Sequence, residues 1–253
     1  MSKYGGYLSN NIKIIKRKFF HVIAVLLFVP AAYVNIELLN VALGVALSIF
    51  ILVEFIRLND TYSLIGLEIE KYLKEHTDER DDGQVILTHM YLLAGCAIPL
   101  WIGSMTLFHH DTKQTAPIDT GVIYLCLLSG VVSVGIGDAM GSIVGKLCDT
   151  RNKIKWPNTN KSVQGTLGMA TSIFLSNTFL YLYSNIIFAT FEGGGSTTGS
   201  HRYDMYDKKG IVEIAFPLTY VAVAVSLLEA CTLQIDNLVL PLFLYSLTRL
   251  TRW

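Results

Sequence analysis

The chain has 253 residues, of which 52% are hydrophobic and 16% charged, and its 20 lysines and arginines balance its 20 aspartates and glutamates. A soluble domain carries about 25% charged residues and a binder of phosphate polymers needs a positive field, so a water-soluble domain, a disordered chain and a nucleic-acid binder are excluded. With a mean hydropathy of +0.46, the chain reads as an all-α, polytopic transmembrane helical bundle forming a single integral-membrane domain.

A bilayer core about 30 Å thick takes roughly 20 apolar residues per helix. Phe19–Ile36 and Leu38–Ile56 meet that length and predict two spans joined by a tight turn at Glu37. Val85–Phe108, Ala116–Gly137, Val163–Phe191 and Ile211–Leu233 predict four more. The last run, Leu238–Leu250, spans only if Gln234, Asp236 and Asn237 enter the membrane edge, so the expectation is six or seven membrane helices. The first run is long, lacks a small-residue cleavage site and is followed at once by a second, so no cleavable signal peptide is expected. Cys96, Cys126, Cys148 and Cys231 lie in or beside apolar stretches without CxxC spacing and read as small buried hydrophobes.

Orientation follows from the cations in the loops. With the N-terminus cytoplasmic, fourteen of the 20 lysines and arginines fall inside, in the N-terminal edge, the loop of about 57–84 and the loop of about 138–162. At most six fall outside, mainly in the glycine- and serine-rich lumenal loop of about 192–210.

Ionisable groups in or beside a span are costly and mark function or a built ion pair. Lys16-Arg17-Lys18-Phe19-Phe20-His21 reads as a positive-inside anchor, with His21 inside the apolar start and in need of a partner. Glu54 lies one helical turn before Arg57, a spacing that suits a structural pair. The acidic run from Glu70 to Asp82 is either a solvated turn or an attractor for a divalent cation.

Gly137, Gly141 and Gly145 line one helical face after Gly135-Ile136-Gly137-Asp138, a pattern that in membranes serves close helix packing. Packing leaves Asp138 unexplained, along with five cations between Lys146 and Lys161. A carboxylate beside glycines, followed by Lys153, Lys155, Lys161 and Ser162, also suits a metal-bound polyphosphate, with Asp138 on Mg²⁺ and lysines on the remaining charge. A Walker A loop is excluded, because Lys146 is followed by Leu147 and the glycine spacing is one residue short. Glu229 and Asp236 share a helical face seven residues apart, as a polar helix break or as further carboxylates facing Asp138.

Taken in order, these stretches resemble the dolichol kinase family. The resemblance rests on Arg17-Lys18-Phe19-Phe20-His21, Asp78-Glu79-Arg80-Asp81 with Leu87-Thr88-His89-Met90-Tyr91-Leu92-Leu93, Gly135-Ile136-Gly137-Asp138, Ile154-Lys155-Trp156-Pro157, and Ser226-Leu227-Leu228-Glu229-Ala230 with Gln234-Ile235-Asp236-Asn237-Leu238. It runs from about Lys16 to Leu244 and implies an enzyme of the endoplasmic reticulum membrane that moves the γ-phosphate of CTP to dolichol. It implies a CTP site on the cytoplasmic face formed by the glycine helix from Asp138 and the loop ending at Gly165, and a chain matching the catalytic half of longer relatives. Where the family usually reads Lys-Lys-Thr-x-Glu-Gly, this chain has Asn160-Lys161-Ser162-Val163-Gln164-Gly165, losing one cation and one carboxylate.

The reaction expected from this likeness is in-line phosphoryl transfer with Mg²⁺ or another divalent cation, held by Asp138 with Asp236 or Glu229. Lys18 and His21 are placed to meet phosphate, or His21 to take the hydroxyl proton. Gly137, Gly141, Gly145, Lys153, Lys155, Lys161, Ser162 and Gly165 are the expected CTP contacts. The competing readings are another CTP-using lipid enzyme (a diacylglycerol kinase or a phosphatidate cytidylyltransferase) and a non-catalytic membrane scaffold or transporter.

Overall fold

The computed structural model describes residues 20–59, 66–71, 88–110, 119–148, 154–157, 159, 161–192, 211–232 and 236–251. Among them regular structure is helical, apart from one isolated antiparallel bridge between Lys155 and Ser162. The helices are α1 (Phe20–Val34), α2 (Ile36–Asn59), a short α3 (66–71), α4 (Thr88–His110) and α5 (Thr120–Leu127). A π-helical segment, Val131–Asp138, leads into α6 (Ala139–Leu147), followed by α7 (Val163–Glu192), α8 (Ile211–Cys231) and α9 (Asp236–Leu250).

The break between α1 and α2 falls at Asn35 rather than at Glu37. Asn35 Oδ1 accepts from the Leu38 N–H at 2.9 Å, an N-cap that starts a new helix and leaves Glu37 in its first turn, where a carboxylate is favoured. The run expected as one span from Ala116 to Gly137 is instead two helices bent by 67°. The bend lies where distant backbone stretches meet. A Cβ on Gly130 would lie 2.2 Å from the Gly95 carbonyl oxygen, and one on Gly95 2.0 Å from the Asn237 carbonyl oxygen, so backbone meets backbone where α4 crosses its neighbours. Ser133 Oγ donates to the Ser129 and Gly130 carbonyls at 2.8 and 3.2 Å, occupying oxygens where the helix changes its winding. The segment expected as a loop from 138 to 162 accordingly begins with helix α6.

The core runs between α4, α5, the π segment, α7, α8 and α9, with Leu100, Leu128, Val132, Ile173, Val225 and Leu240 almost wholly buried. The outer faces are apolar too: Leu26, Val34, Phe55, Leu175 and Phe216 are each more than 60% exposed. Such a belt drives aggregation in water and is the lipid face in a bilayer. By length and composition α2 and Glu213–Cys231 are each sufficient to cross, the bent pair Thr120–Leu127 and Val131–Leu147 makes a third if taken as one span, and Phe20–Val34 and His89–Met105 are shorter apolar helices. This is a helical membrane protein. Cys96 and Cys126 are buried as expected, whereas Cys148 is half-buried and Cys231 faces outward at the end of α8.

Polar residues divide between the two ends of the bundle. At the α1–α2 turn end, Tyr33 stacks on Tyr124 with centroids 4.5 Å apart and its hydroxyl lies 2.8 Å from Ser184 Oγ, while Asp119 caps α5 through the Gly121 N–H and accepts from the Tyr181 hydroxyl. Near the C-terminus of α2, Arg57 donates to both carboxylate oxygens of Glu54 at 2.8 and 2.7 Å, and both residues are buried, which is the expected pair. Of the ionisable residues singled out above, His21, Asp138, Lys161, Glu229 and Asp236 lie at that second end.

Candidate active site

Small residues bring α1 against the π segment. A Cβ on Gly135 would meet Val25 Cγ2 at 2.7 Å and the His21 carbonyl oxygen at 3.5 Å, so the absence of a side chain there lets the first turn of α1 lie close. That approach sets His21 Nε2 3.4 Å from Asp138 Oδ2. The other oxygen of Asp138 accepts from Ser142 Oγ at 3.4 Å, one turn further along. His21 is buried, and about a fifth of the Asp138 side chain stays open to the outside.

A second cluster forms where the 154–162 loop meets the break between α8 and α9. Lys161 Nζ lies 2.8 Å from Glu229 Oε1 and 3.1 Å from Asp236 Oδ2, and donates to the Glu229 main-chain oxygen at 2.5 Å. Thr232 Oγ1 donates to the other oxygen of Asp236 at 3.2 Å. Lys161 and Glu229 expose 17% of their side chains and Asp236 20%, so water screens the cluster only in part. Ser162, the neighbour of Lys161, lies 3.0 Å from the Cβ position of Gly145 on α6, the helix that follows Asp138, so both clusters belong to one end of the bundle.

The loop is held by its own backbone. The Trp156 N–H donates to the Lys161 carbonyl at 3.0 Å and the Val163 N–H to the Ile154 carbonyl at 2.9 Å, on either side of the Lys155–Ser162 bridge. Trp156 Nε1 donates to Thr166 Oγ1 at 3.0 Å, which pins the loop to the first turn of α7. Ser162 Oγ accepts from the Gly165 N–H at 3.2 Å and so caps α7.

The structure brings together His21, Asp138, Lys161, Glu229 and Asp236. It gives Gly137, Gly141 and Gly145 to α7: Cβ atoms there would meet Ile173 at 3.0 Å, Met169 Cβ at 3.2 Å and Ser162 Oγ at 3.0 Å respectively. Gly165 packs against the same face, its Cβ position 2.9 Å from the Gly141 carbonyl oxygen, and Lys155 is exposed on the loop. Lys18 and Lys153 lie outside the described residues. Three contributors escaped the sequence reading: Ser142, Thr232 and Thr166. Each sits four residues from a residue already singled out, at Asp138, Asp236 and Ser162, and that four-residue spacing is the signal that finds them.

Among the described residues no three His, Cys, Asp or Glu side chains gather as an all-protein metal cage. A hard cation carried on a polyphosphate needs only one or two carboxylates, because phosphate oxygens and water complete its shell. Asp138, a carboxylate with about a fifth of its side chain open, fits that demand. The pair Glu229 and Asp236 already grips a cation of another kind, the Lys161 ammonium.

A family model described as dolichol kinase matches residues 9–171. The chain is similar to the mouse dolichol kinase, at 35% identity over 91% of this chain and 37% of that protein. It is also similar to dolichol kinase EVAN of Arabidopsis thaliana, 30% identical over 93% of this chain and 35% of the relative, and to dolichol kinase sec59 of Schizosaccharomyces pombe, 28% identical over 96% and 41%. The chain thus spans little more than a third of the length of the mouse and plant relatives. No solved structure matches significantly. Since the family model covers more than half of these residues, and takes in both His21 and Asp138, the chain belongs to the dolichol kinase family.

Proposed function

We propose that this chain phosphorylates dolichol with CTP as donor, yielding dolichyl phosphate and CDP. One observation supports it beyond family membership: the His21–Asp138 pair and the Lys161–Glu229–Asp236 cluster share one end of an apolar bundle. A lipid alcohol presents its hydroxyl at that depth while its tail stays in hydrocarbon. The bundle crosses the endoplasmic reticulum membrane six times, or seven where α9 also spans. Its N-terminus and nucleotide site face the cytoplasm, and its product serves as the lipid carrier for protein glycosylation.

In this reading the dolichol hydroxyl oxygen attacks the γ-phosphorus, the bond from that phosphorus to the β–γ bridging oxygen breaks, and CDP leaves. The hydroxyl proton passes to the His21–Asp138 pair, where the carboxylate orients the ring and stabilises its charged form. Lys155, with Lys153 and Lys18, supplies positive charge to the phosphates, since this chemistry depends on positioning and electrostatics. A divalent cation bound with the nucleotide would supply positive charge to the phosphates, and Asp138 would hold it together with Glu229 and Asp236.

The test is a transfer assay on purified protein with dolichol, comparing CTP labelled at the γ- or the α-phosphate and ATP. Lipid labelled from γ-CTP, lost on chelation of divalent cations and in Asp138→Ala, is the expected result. Lipid labelled from α-CTP marks a cytidylyltransferase, and no transfer from any donor removes the kinase reading.

A further inference from the structure

We infer that Lys161 is a tethered counter-ion that fills the acidic cradle of Glu229 and Asp236 until a divalent cation arrives with the nucleotide, so the nucleotide-free protein takes up no such cation. The inference rests on the proposed nucleotide–cation substrate and assigns the order in which that site is filled.

The sequence presents Lys161 as one more phosphate contact among the loop lysines. The geometry is different. Its ammonium has three oxygen partners within 3.1 Å, two of them carboxylate oxygens from residues on either side of a helix break. A compact ammonium surrounded by oxygens occupies the position a hard cation would take. Without it, two partly buried carboxylates would face each other with Asp138 nearby, which is costly in a low-dielectric setting. Lys161 also ends a loop closed by its own backbone bonds, so the charge is delivered by a preformed turn. The ammonium leaves at little cost only when another cation replaces it and a phosphate receives it, and a cation–nucleotide complex provides both.

The experiment measures Mn²⁺ binding to the purified full chain by electron paramagnetic resonance, without lipid and with or without CTP. Lys161→Met should bind Mn²⁺ without nucleotide at least about tenfold more tightly than the wild type. Lys161→Arg, which keeps the charge, should behave as the wild type, and adding Glu229→Gln to Lys161→Met should abolish the gain. A folded Lys161→Met that gains no Mn²⁺ overturns the inference. If that variant does not fold, the wild type decides: Mn²⁺ retained without nucleotide and lost in Glu229→Gln overturns it, whereas retention only with CTP supports it. The nucleotide-free arms contain no phosphate donor and no dolichol, so this inference and the kinase reading fail separately.

Discussion

His21 Nε2, in the first turn of α1, lies 3.4 Å from Asp138 Oδ2, at the last residue of the π-helical segment. The contact joins the beginning of the bundle to its most irregular helix, and it depends on the bare face of Gly135 between them. Asp138→Asn preserves shape and removes charge, and it should lower kcat by about 100-fold or more. His21→Asn should cost a similar factor. Both are read from initial rates with γ-labelled CTP.

The Glu54–Arg57 pair offers a test of stability away from the chemistry. Both residues are 6% exposed, and each single change takes from a buried charge the partner that lies 2.7–2.8 Å away. Glu54→Gln or Arg57→Met alone should destabilise the fold by about 3–5 kcal/mol, whereas Glu54→Leu with Arg57→Met should stay near the wild type. Thermal unfolding in detergent separates the singles from the double.

Gly130 and Gly44 are both glycines in apolar helices, yet they should respond in opposite ways. A methyl on Gly130 would press on the Gly95 carbonyl at 2.2 Å, while one on Gly44 would find its nearest neighbour, Trp101, at 3.9 Å. Gly130→Ala should cost about 1–3 kcal/mol or more and reduce kcat by shifting the bend above Asp138, and Gly44→Ala should do neither. Melting temperature and turnover measured on the same preparations check this.

The loop should be sensitive at its anchor. Thr166→Val removes the acceptor of Trp156 Nε1 at 3.0 Å while keeping the shape of the residue. The loss of about 1 kcal/mol should be felt locally, raising the KM for CTP severalfold with little change in that for dolichol. Ser162→Ala, which uncaps α7, should lower the melting temperature by an amount equivalent to about 1 kcal/mol.

Much of this architecture is legible from the residues alone, because hydrocarbon length and the cost of buried charge leave few choices. The pairing of Glu54 with Arg57 follows from one turn of spacing, and Asp138 with the acidic pair beyond Leu228 was visible as charge with no apolar reason to be there. The π segment was not legible, since it arises where Gly130 meets Gly95, a contact between distant stretches that no local period announces. Lys161 was assigned by its neighbours in sequence, whereas its geometric partners Glu229 and Asp236 lie two helices away. The turn lies at Asn35, two residues before the charged Glu37, because the Asn35 side chain is the one that caps α2.

A π turn takes up more residues than an α turn, so everything after it is rotated in phase about the helix axis. A single-residue difference in register amounts to about 100°, more than a quarter of the circumference. Had Val131–Asp138 wound as an ordinary helix, the carboxylate would have pointed around the barrel of the helix toward another neighbour. Deleting one residue upstream of Asp138 should therefore silence the protein as thoroughly as removing the carboxylate, although every side chain implicated in the chemistry would still be present.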